Sequence, residues 1–502
     1  MGNLKITYKK ILETLSQNGL LVSHSIKNPG GEIEFISHDS RNIAGNTLFF
    51  CKGEKFKEEY LYDAIQKGAV CYMSELKYDR GCNYIVVNNI LRAAAIIAPL
   101  YYNYPYKDLN LIGITGTKGK TTTAYFLRNI LDEHTKSKTG LSSSIEKYTG
   151  KRSEESHLNT PEPCDLQQLF YEAKESGIKY FTMEVSSQSY KRDRVRGIKF
   201  ADGIFLNIAE DHISPAEHED FEDYFSCKLE FLKNCANIVI NRETDYFERV
   251  IEAAQSSETL KQITIYGGEK YREECDYYFT DVKKESGFLN FCAKSDKYDY
   301  SQPFSIIIPG LFNIENAMAA VTLCKTLGVS DGSISAGLVK TEVPGRMTIL
   351  ENGGVTVVVD YAHNLLSFTK LYETIKYGFA GRKIISVGGA PGGKAYSRRK
   401  EFAETAGKSS DYIYLTAEDP QFEDAVQICE EMAGYMPNAA YEIIADRGEV
   451  VEKAIAGAKC GDVVVLLGKG AEEYQKVRGK YEFYESDFKT AQRVLGLDYV
   501  NF

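Results

Sequence analysis

Residues 108–134, DLNLIGITGTKGKTTTAYFLRNILDEH, decide the fold. A short apolar run ends in a glycine-rich turn, and TTTAYFLRNILDEH then repeats apolar residues at helical spacing. Strand, loop and helix in that order are the opening unit of an α/β architecture. The loop GITGTKGKTTT (113–123) is built to hold phosphate. Backbone N–H groups from Gly116, Thr117, Lys118 and Gly119 can surround phosphate oxygens, and Thr122 lies in the positive start of the helix. Lys120 can reach terminal phosphates and Thr121 can bind magnesium. The loop departs from G-x-x-x-x-G-K-[ST] because Ile114 stands where the first glycine belongs, with Gly113 and Gly116 on either side.

Working outward, further buried-strand patterns follow as KYFTMEV, ADGIFLNI, ANIVINR and KQITIYG, with helical DLQQLFYEAKESG and FEDYFSCKLEFLKN between several of them. A polar, Tyr-rich stretch over about 270–305 reads as an antiparallel insertion, and GLFNIENAMAAVTLCKTLG as a helix. VPGRM carries the Pro-Gly punctuation of a boundary. Beyond it GVTVVVDYA, KIISVGG, DYIYLTA and GDVVVLLGKG read as strands of a second doubly wound sheet. Before the decisive stretch, a leading amphipathic helix precedes short strands such as NTLFF and NYIVV. The expectation is an α/β chain of three domains: 1–108, 109–343 around the phosphate loop, and a Rossmann-like 344–502.

Bulk properties narrow the function. A net charge of −10 with scattered Lys and Arg argues against nucleic acid, while a local basic pocket for one anionic small molecule remains open. No apolar run reaches the ~18–20 residues that span a bilayer, and the N-terminal segment lacks a signal-peptide pattern. The eleven cysteines form no C-x-x-C pair, so reduced thiols in a cytoplasmic protein are expected. A carboxylate at the end of a strand beside a phosphate loop, as Glu184 is in MEVSSQ (183–188), is well placed to ligate magnesium. Taken alone, Glu184 also reads as a solvated loop acid, His212 of NIAEDH as a structural histidine, and Lys228 as a surface helix lysine.

The variant loop resembles the ATP loop of the Mur ligases of peptidoglycan synthesis and of their relatives, the folylpolyglutamate and cyanophycin synthetases. The resemblance continues in family order along nearly the whole chain. It implies a three-domain enzyme with a UDP-sugar-binding N-terminal domain, a central ATPase domain and a C-terminal domain for the incoming amino acid. It implies ATP and two magnesium ions, with Lys120 at the phosphates and Thr121, Glu184, His212 and a CO2-derived carbamate on Lys228 as metal ligands. The carbamate has chemical logic, since it turns a cation into an anionic oxygen ligand. By the same resemblance Asn316, Arg346, Asp360 and His363 contact the nucleotide, and Ser40 of Asp39-Ser40-Arg41, Asn159, Thr160, Ser186 and Arg194 hold the UDP-linked muramoyl peptide. Asn159 replaces the family's first Thr at its position.

Two segments bear on the amino acid added. TAEDPQ (416–421) matches the site where diaminopimelate-adding members carry Asp-Asn-Pro-Arg, whose Arg clamps a distal carboxylate. Gln421 cannot supply that bidentate contact. With Glu418, Asp419 and Pro420 beside it, the pocket reads as acidic and suited to the ammonium of L-lysine, and TAEDPQFED is close to the TADDPN pattern of streptococcal members. GKGAEEYQ (468–475) resembles the GKGHEDYQ segment, making Gly468 and Glu472 contacts to the substrate amine, and Arg399 is taken for its α-carboxylate. The resemblance thus implies a monomeric ATP-dependent ligase acting on UDP-MurNAc-L-Ala-D-Glu and L-lysine. Diaminopimelate as the amino acid, a folylpolyglutamate-synthetase-like ligase and an inactive ATP-binding scaffold are the alternatives.

Overall fold

In the computed structural model, residues 4–53, 56–156, 158–210, 213, 217–285 and 288–497 are described. Around the phosphate loop the chain forms an eleven-stranded sheet. Its parallel centre runs Gly140–Ser142, Tyr180–Glu184, Asn110–Thr115, Phe200–Phe205, Cys235–Asn241 and Gln262–Gly268. Asn110–Thr115 and Tyr180–Glu184 are almost wholly buried, as strands covered on both faces must be. Strand order reverses around Asn110–Thr115, so the crevice beyond its C-terminal end is the switch point where α/β sheets take ligands. The loop and helix Lys120–Thr135 start there.

The 270–305 stretch forms antiparallel pairs, as expected, yet it is no separate insertion. Tyr277–Glu285 pairs in parallel with Gln262–Gly268, and two antiparallel strands, Phe288–Ser295 and Tyr300–Ile306, extend the same sheet. Its inward residues include Phe291 and Phe304, both buried, and alternate burial along Phe288–Ser295 explains how a polar sequence lies on a core.

The C-terminal sheet has six strands in the order Thr348–Asn352, Val355–Asp360, Val463–Leu467, Ile384–Gly388, Tyr412–Leu415 and Tyr441–Ile443. All pairs are parallel except the first. Its two central runs, VTVVVD and VVVLL, are β-branched and buried through most of their length. Asn364 starts helix Leu365–Gly378 with a capping box to Ser367. A two-stranded hairpin, Tyr474–Val477 with Lys480–Phe483, follows the last central strand. The N-terminal region holds a five-stranded sheet with its own core, built from Ile11, Leu15, Leu48, Phe50, Met73, Ile85 and Ile97. None of the helices among the described residues is long and apolar enough to cross a membrane.

Candidate functional site

The phosphate loop is fixed by the strand beside it. Thr117 N–H donates to Asn207 O at 3.0 Å, and Lys118 N–H donates to the Asn207 side chain at 2.9 Å. Gly119 has φ +87°, and a Cβ there would lie 2.1 Å from Asn316 Oδ1, so only glycine lets helix Phe312–Thr326 bring Asn316 against the loop. Lys120 Nζ curls back onto Gly116 O and Thr117 O at 2.8 and 3.1 Å. Thr122 is buried at the helix start.

Thr121 Oγ1 donates to Glu184 Oε1 at 2.8 Å, and Ser144 N–H donates to the same oxygen at 2.7 Å. These hard oxygen donors, side by side at the loop, are the ligand chemistry magnesium takes. Lys228, on helix Phe221–Leu232, is buried and donates to Gly116 O at 2.8 Å, with Nζ 4.8 Å from the Tyr224 ring centroid. The surface-lysine reading therefore fails for Lys228. His212 lies outside the described residues.

A second group gathers around Glu184. Asn159 Nδ2 is 3.4 Å from Glu184 Oε2, Thr160 Oγ1 donates to Glu184 O at 3.0 Å, and Ser186 N–H donates to Thr160 Oγ1 at 3.0 Å. Arg194 Nη1 donates to Thr160 O at 3.2 Å and its Nε lies 2.9 Å from Glu162 Oε1. Lys52, from the N-terminal region, pairs with the other oxygen of Glu162. Burial opposes the charge on Glu162, but Lys52 and Arg194 outweigh it and draw its pKa down to about 2. His38 Nε2 reaches to 3.7 Å from Asp165 in the same junction, two residues before Ser40, whose carbonyl accepts from Lys67 Nζ.

Facing the loop, the C-terminal sheet supplies Arg346, Asp360 and His363. Arg346 stacks 4.4 Å from the Tyr361 ring centroid and donates to Ser144 Oγ at 3.3 Å. His363 Nε2 lies 3.0 Å from Lys118 Nζ. Both oxygens of Asp360 accept backbone N–H groups, from Met347 and Ala362, each at 2.7 Å. Burial raises its pKa, against the pull of Arg346 and Lys118.

The acceptor pocket needs two corrections to the sequence reading. It is not a set of bare acids: Glu418 pairs with Arg398 at 2.7 Å, and Asp419 and Glu472 share Lys469, at 3.0 and 2.6 Å. Nor does Arg399 reach Glu418. It is buried among Glu423 and Glu431, while Arg398, one position earlier on helix Ser397–Gly407, stands at the pocket. One residue turns a helix by ~100°, which is enough to exchange the two roles. Asp419 and Gln421, on either side of Pro420, both have left-handed φ, +50° and +57°. The Gln421 backbone is tied on both sides to the hairpin, accepting from Arg478 N–H and donating to Lys476 O. Gly468, φ +102°, allows Glu418 to pack where a Cβ would lie 2.0 Å from its Oε2. Beside Lys469 and Glu472 opens a cavity of about 300 Å³, whose walls also include Ser144, Glu146, Arg346 and Tyr361.

Four of those residues were not singled out from sequence. Ser144 and Glu146 sit in a plain stretch, SSSIE, with no signature of its own. Tyr361 and Lys469 lie inside motifs, DYAH and GKGAEEYQ, that were read only for their neighbours.

Comparison with known proteins gives the family. The Mur ligase middle domain matches residues 114–324, and the Mur ligase, glutamate ligase domain, matches residues 345–470. The UDP-N-acetylmuramoyl-L-alanyl-D-glutamate--L-lysine ligase of Enterococcus faecalis is 40% identical over 469 residues, covering 92% of this chain and 91% of that one. The ligase of the same name from Streptococcus agalactiae is 38% identical over 500 residues, covering 98% and 99%. Among solved structures, a UDP-N-acetylmuramoyl-L-alanyl-D-glutamate--2,6-diaminopimelate ligase shares the fold with TM-score 0.63 at 21% identity, covering 98% of this chain and 99% of that one. With family models over most of its length and close relatives along nearly all of it, the chain belongs to the Mur ligase family.

Proposed function

We propose that the chain joins L-lysine to the D-glutamyl carboxylate of UDP-MurNAc-L-Ala-D-Glu, using ATP and passing through an acyl phosphate. The observation that carries this reading is a cavity lined both by Glu472 and by Ser144, whose Oγ lies 3.0 Å from Thr121 Oγ1 at the end of the phosphate loop, in a chain 38–40% identical to ligases named for that reaction. On this reading the three domains are 1–108, 109–343 and 344–502.

Each residue then has a task. The loop of Gly116–Gly119 and Lys120 cradles the phosphates, and Asn316, Arg346, Asp360 and His363 frame the rest of the nucleotide. Ser40, Asn159, Thr160, Ser186 and Arg194 hold the UDP-linked peptide so that its carboxylate meets the γ-phosphate. Thr121, Glu184, His212 and Lys228 as its carbamate would hold two magnesium ions, which supply positive charge to the phosphoryl oxygens. Lys120 leaves its carbonyl partners and neutralises charge that develops on transfer. Glu472 and Asp419 hold the side-chain ammonium of the incoming lysine, so that its neutral α-amine attacks the acyl carbon; the tetrahedral adduct then expels phosphate and loses a proton, leaving the amide. The walls from two sheets keep water away from that acyl phosphate.

Diaminopimelate is the competing acceptor, because Arg398 offers a cation at the pocket that could meet a distal carboxylate. The test supplies UDP-MurNAc-L-Ala-D-Glu and Mg-ATP with L-lysine or meso-diaminopimelate separately and weighs the product. Product with lysine alone supports the reading; product with diaminopimelate alone keeps the ligase and reverses its acceptor. ADP release equal to that of Lys120→Ala would sink the ligase reading itself.

A further inference from the structure

Lys469 is a cation buried in the acceptor pocket, with a side chain 1% exposed. It follows the central strand Val463–Leu467 and projects between two carboxylates that come from different segments. Its Nζ lies 2.6 Å from Glu472 Oε2 and 3.0 Å from Asp419 Oδ1, and 4.6 Å from the centroid of the Tyr474 ring. The opposite side of Glu472 is also occupied: Oε1 accepts from Tyr361 OH at 2.8 Å and from Tyr474 OH at 3.1 Å. Asp419 Oδ1 accepts in addition from Lys476 N–H at 3.0 Å.

Two carboxylates converging on one point repel each other, and a cation between them relieves that repulsion. Lys469 meets both at hydrogen-bond distance; Arg398 is taken by Glu418 and Arg447 by Asp487, while Lys476 and Lys394 add positive charge to Asp419 from further away. Burial alone would discharge Lys469, yet Glu472 and Asp419 outweigh it and hold its pKa above the ordinary lysine value. Burial likewise opposes the charge on Asp419, and Lys469 reverses the effect. The phenols of Tyr361 and Tyr474, pushed well up by burial, remain donors at neutral pH.

We infer that Lys469 is a positioning residue that holds the carboxylates of Asp419 and Glu472 converging on one point, where together they meet the ammonium of the incoming amino acid. The inference rests on the ligase reading for its substrate, but not for its electrostatics. Lys469 touches neither reacting atom. It acts through the two carboxylates that receive the substrate's ammonium.

Lys469→Met, Lys469→Arg and the double variant Lys469→Met/Asp419→Asn test it with two readouts. The first is KM for L-lysine and for ATP between about pH 6 and 9. Lys469→Met should raise the lysine KM about tenfold or more, leave the ATP KM within about twofold, and add an acid limb to kcat/KM that the parent lacks. Lys469→Arg, which retains the charge, should keep the parent's pH profile. The second readout is melting temperature against pH without substrates. In Lys469→Met one carboxylate has its folded pKa raised above its unfolded value, so its contribution is present at low pH and lost as pH rises through the folded pKa. The melting gap to the parent should therefore widen from about pH 5 to 8, and the double variant should remove that widening.

A constant gap, or equal rises in both KM values with no new limb, would overturn the inference in favour of a plain structural tether. If Lys469→Met does not fold, a pH-dependent profile in Lys469→Arg would overturn it as well. Should the parent ligate no amino acid, the ligase reading falls, and the melting comparison still decides the role of Lys469.

Discussion

Lys228 and Gly119 show how much one residue of the loop region decides. Lys228 donates to Gly116 O from a buried position, so two roles are superposed in one side chain: a hydrogen bond that shapes the loop and the proposed carbamate. Lys228→Arg separates them, because arginine keeps a cationic donor and cannot carry a carbamate. Turnover should fall by about 10²-fold or more while the melting temperature stays near that of the parent. Gly119→Ala acts on geometry instead. The new methyl would meet Asn316 Oδ1 at 2.1 Å in a left-handed backbone, and the expected cost is ~1–3 kcal/mol of stability with a rise in ATP KM. Adding Asn316→Ala should return part of the stability, measured by urea unfolding of the single and double variants. Gly119 was legible in the sequence because its signal is local: a strand, a glycine turn and a helix start lie within a dozen positions, whereas Lys228 was reached only through the family resemblance. Arg398 was not legible. Which of two adjacent arginines faces the pocket depends on how helix Ser397–Gly407 is rotated against Glu431 and Glu418, and no local pattern carries that information.

At the scale of elements, the C-terminal strands are held at the pocket end by a buried ion pair. Arg447, at the start of helix Arg447–Ala456, donates to Asp487 through Nε and Nη2 at 2.8 and 2.7 Å, and Nη2 also reaches Leu467 O at 2.6 Å. Both side chains are fully buried, and Tyr484 OH donates to Asp487 at 2.5 Å. Leu467 directly precedes Gly468 and Lys469, so this pair fixes the strand end from which the acceptor pocket grows. Asp487→Ala leaves a guanidinium buried without its counter-ion and should cost about 3–5 kcal/mol in urea unfolding. Strands such as VVVLL announced themselves by composition, while this pair did not, since its partners are forty residues apart and neither belongs to a recognisable motif. The cations that pair with Glu418 and Asp419 went unread for the same reason: Arg398 and Lys469 come from other elements.

Across the whole molecule, the N-terminal region meets the central sheet through Lys52, Glu162 and Arg194. The pKa of Glu162 is depressed from 4.5 to about 2, so its contribution is complete above the unfolded value and is lost as pH falls through the window between them. The melting difference between parent and Glu162→Gln should be largest near neutrality, shrink below about pH 4.5 and vanish near pH 2. A difference that holds constant across that range would show that the junction does not depend on this charge. The layout also separates support from selection. The loop that carries Gln421 is tied to the hairpin by main-chain bonds, which an unbranched side chain at ease in its left-handed backbone would leave in place. A lineage can therefore vary what lines this part of the pocket without passing through an unstable intermediate. Descent within such a family should show substrate preference changing more often than architecture.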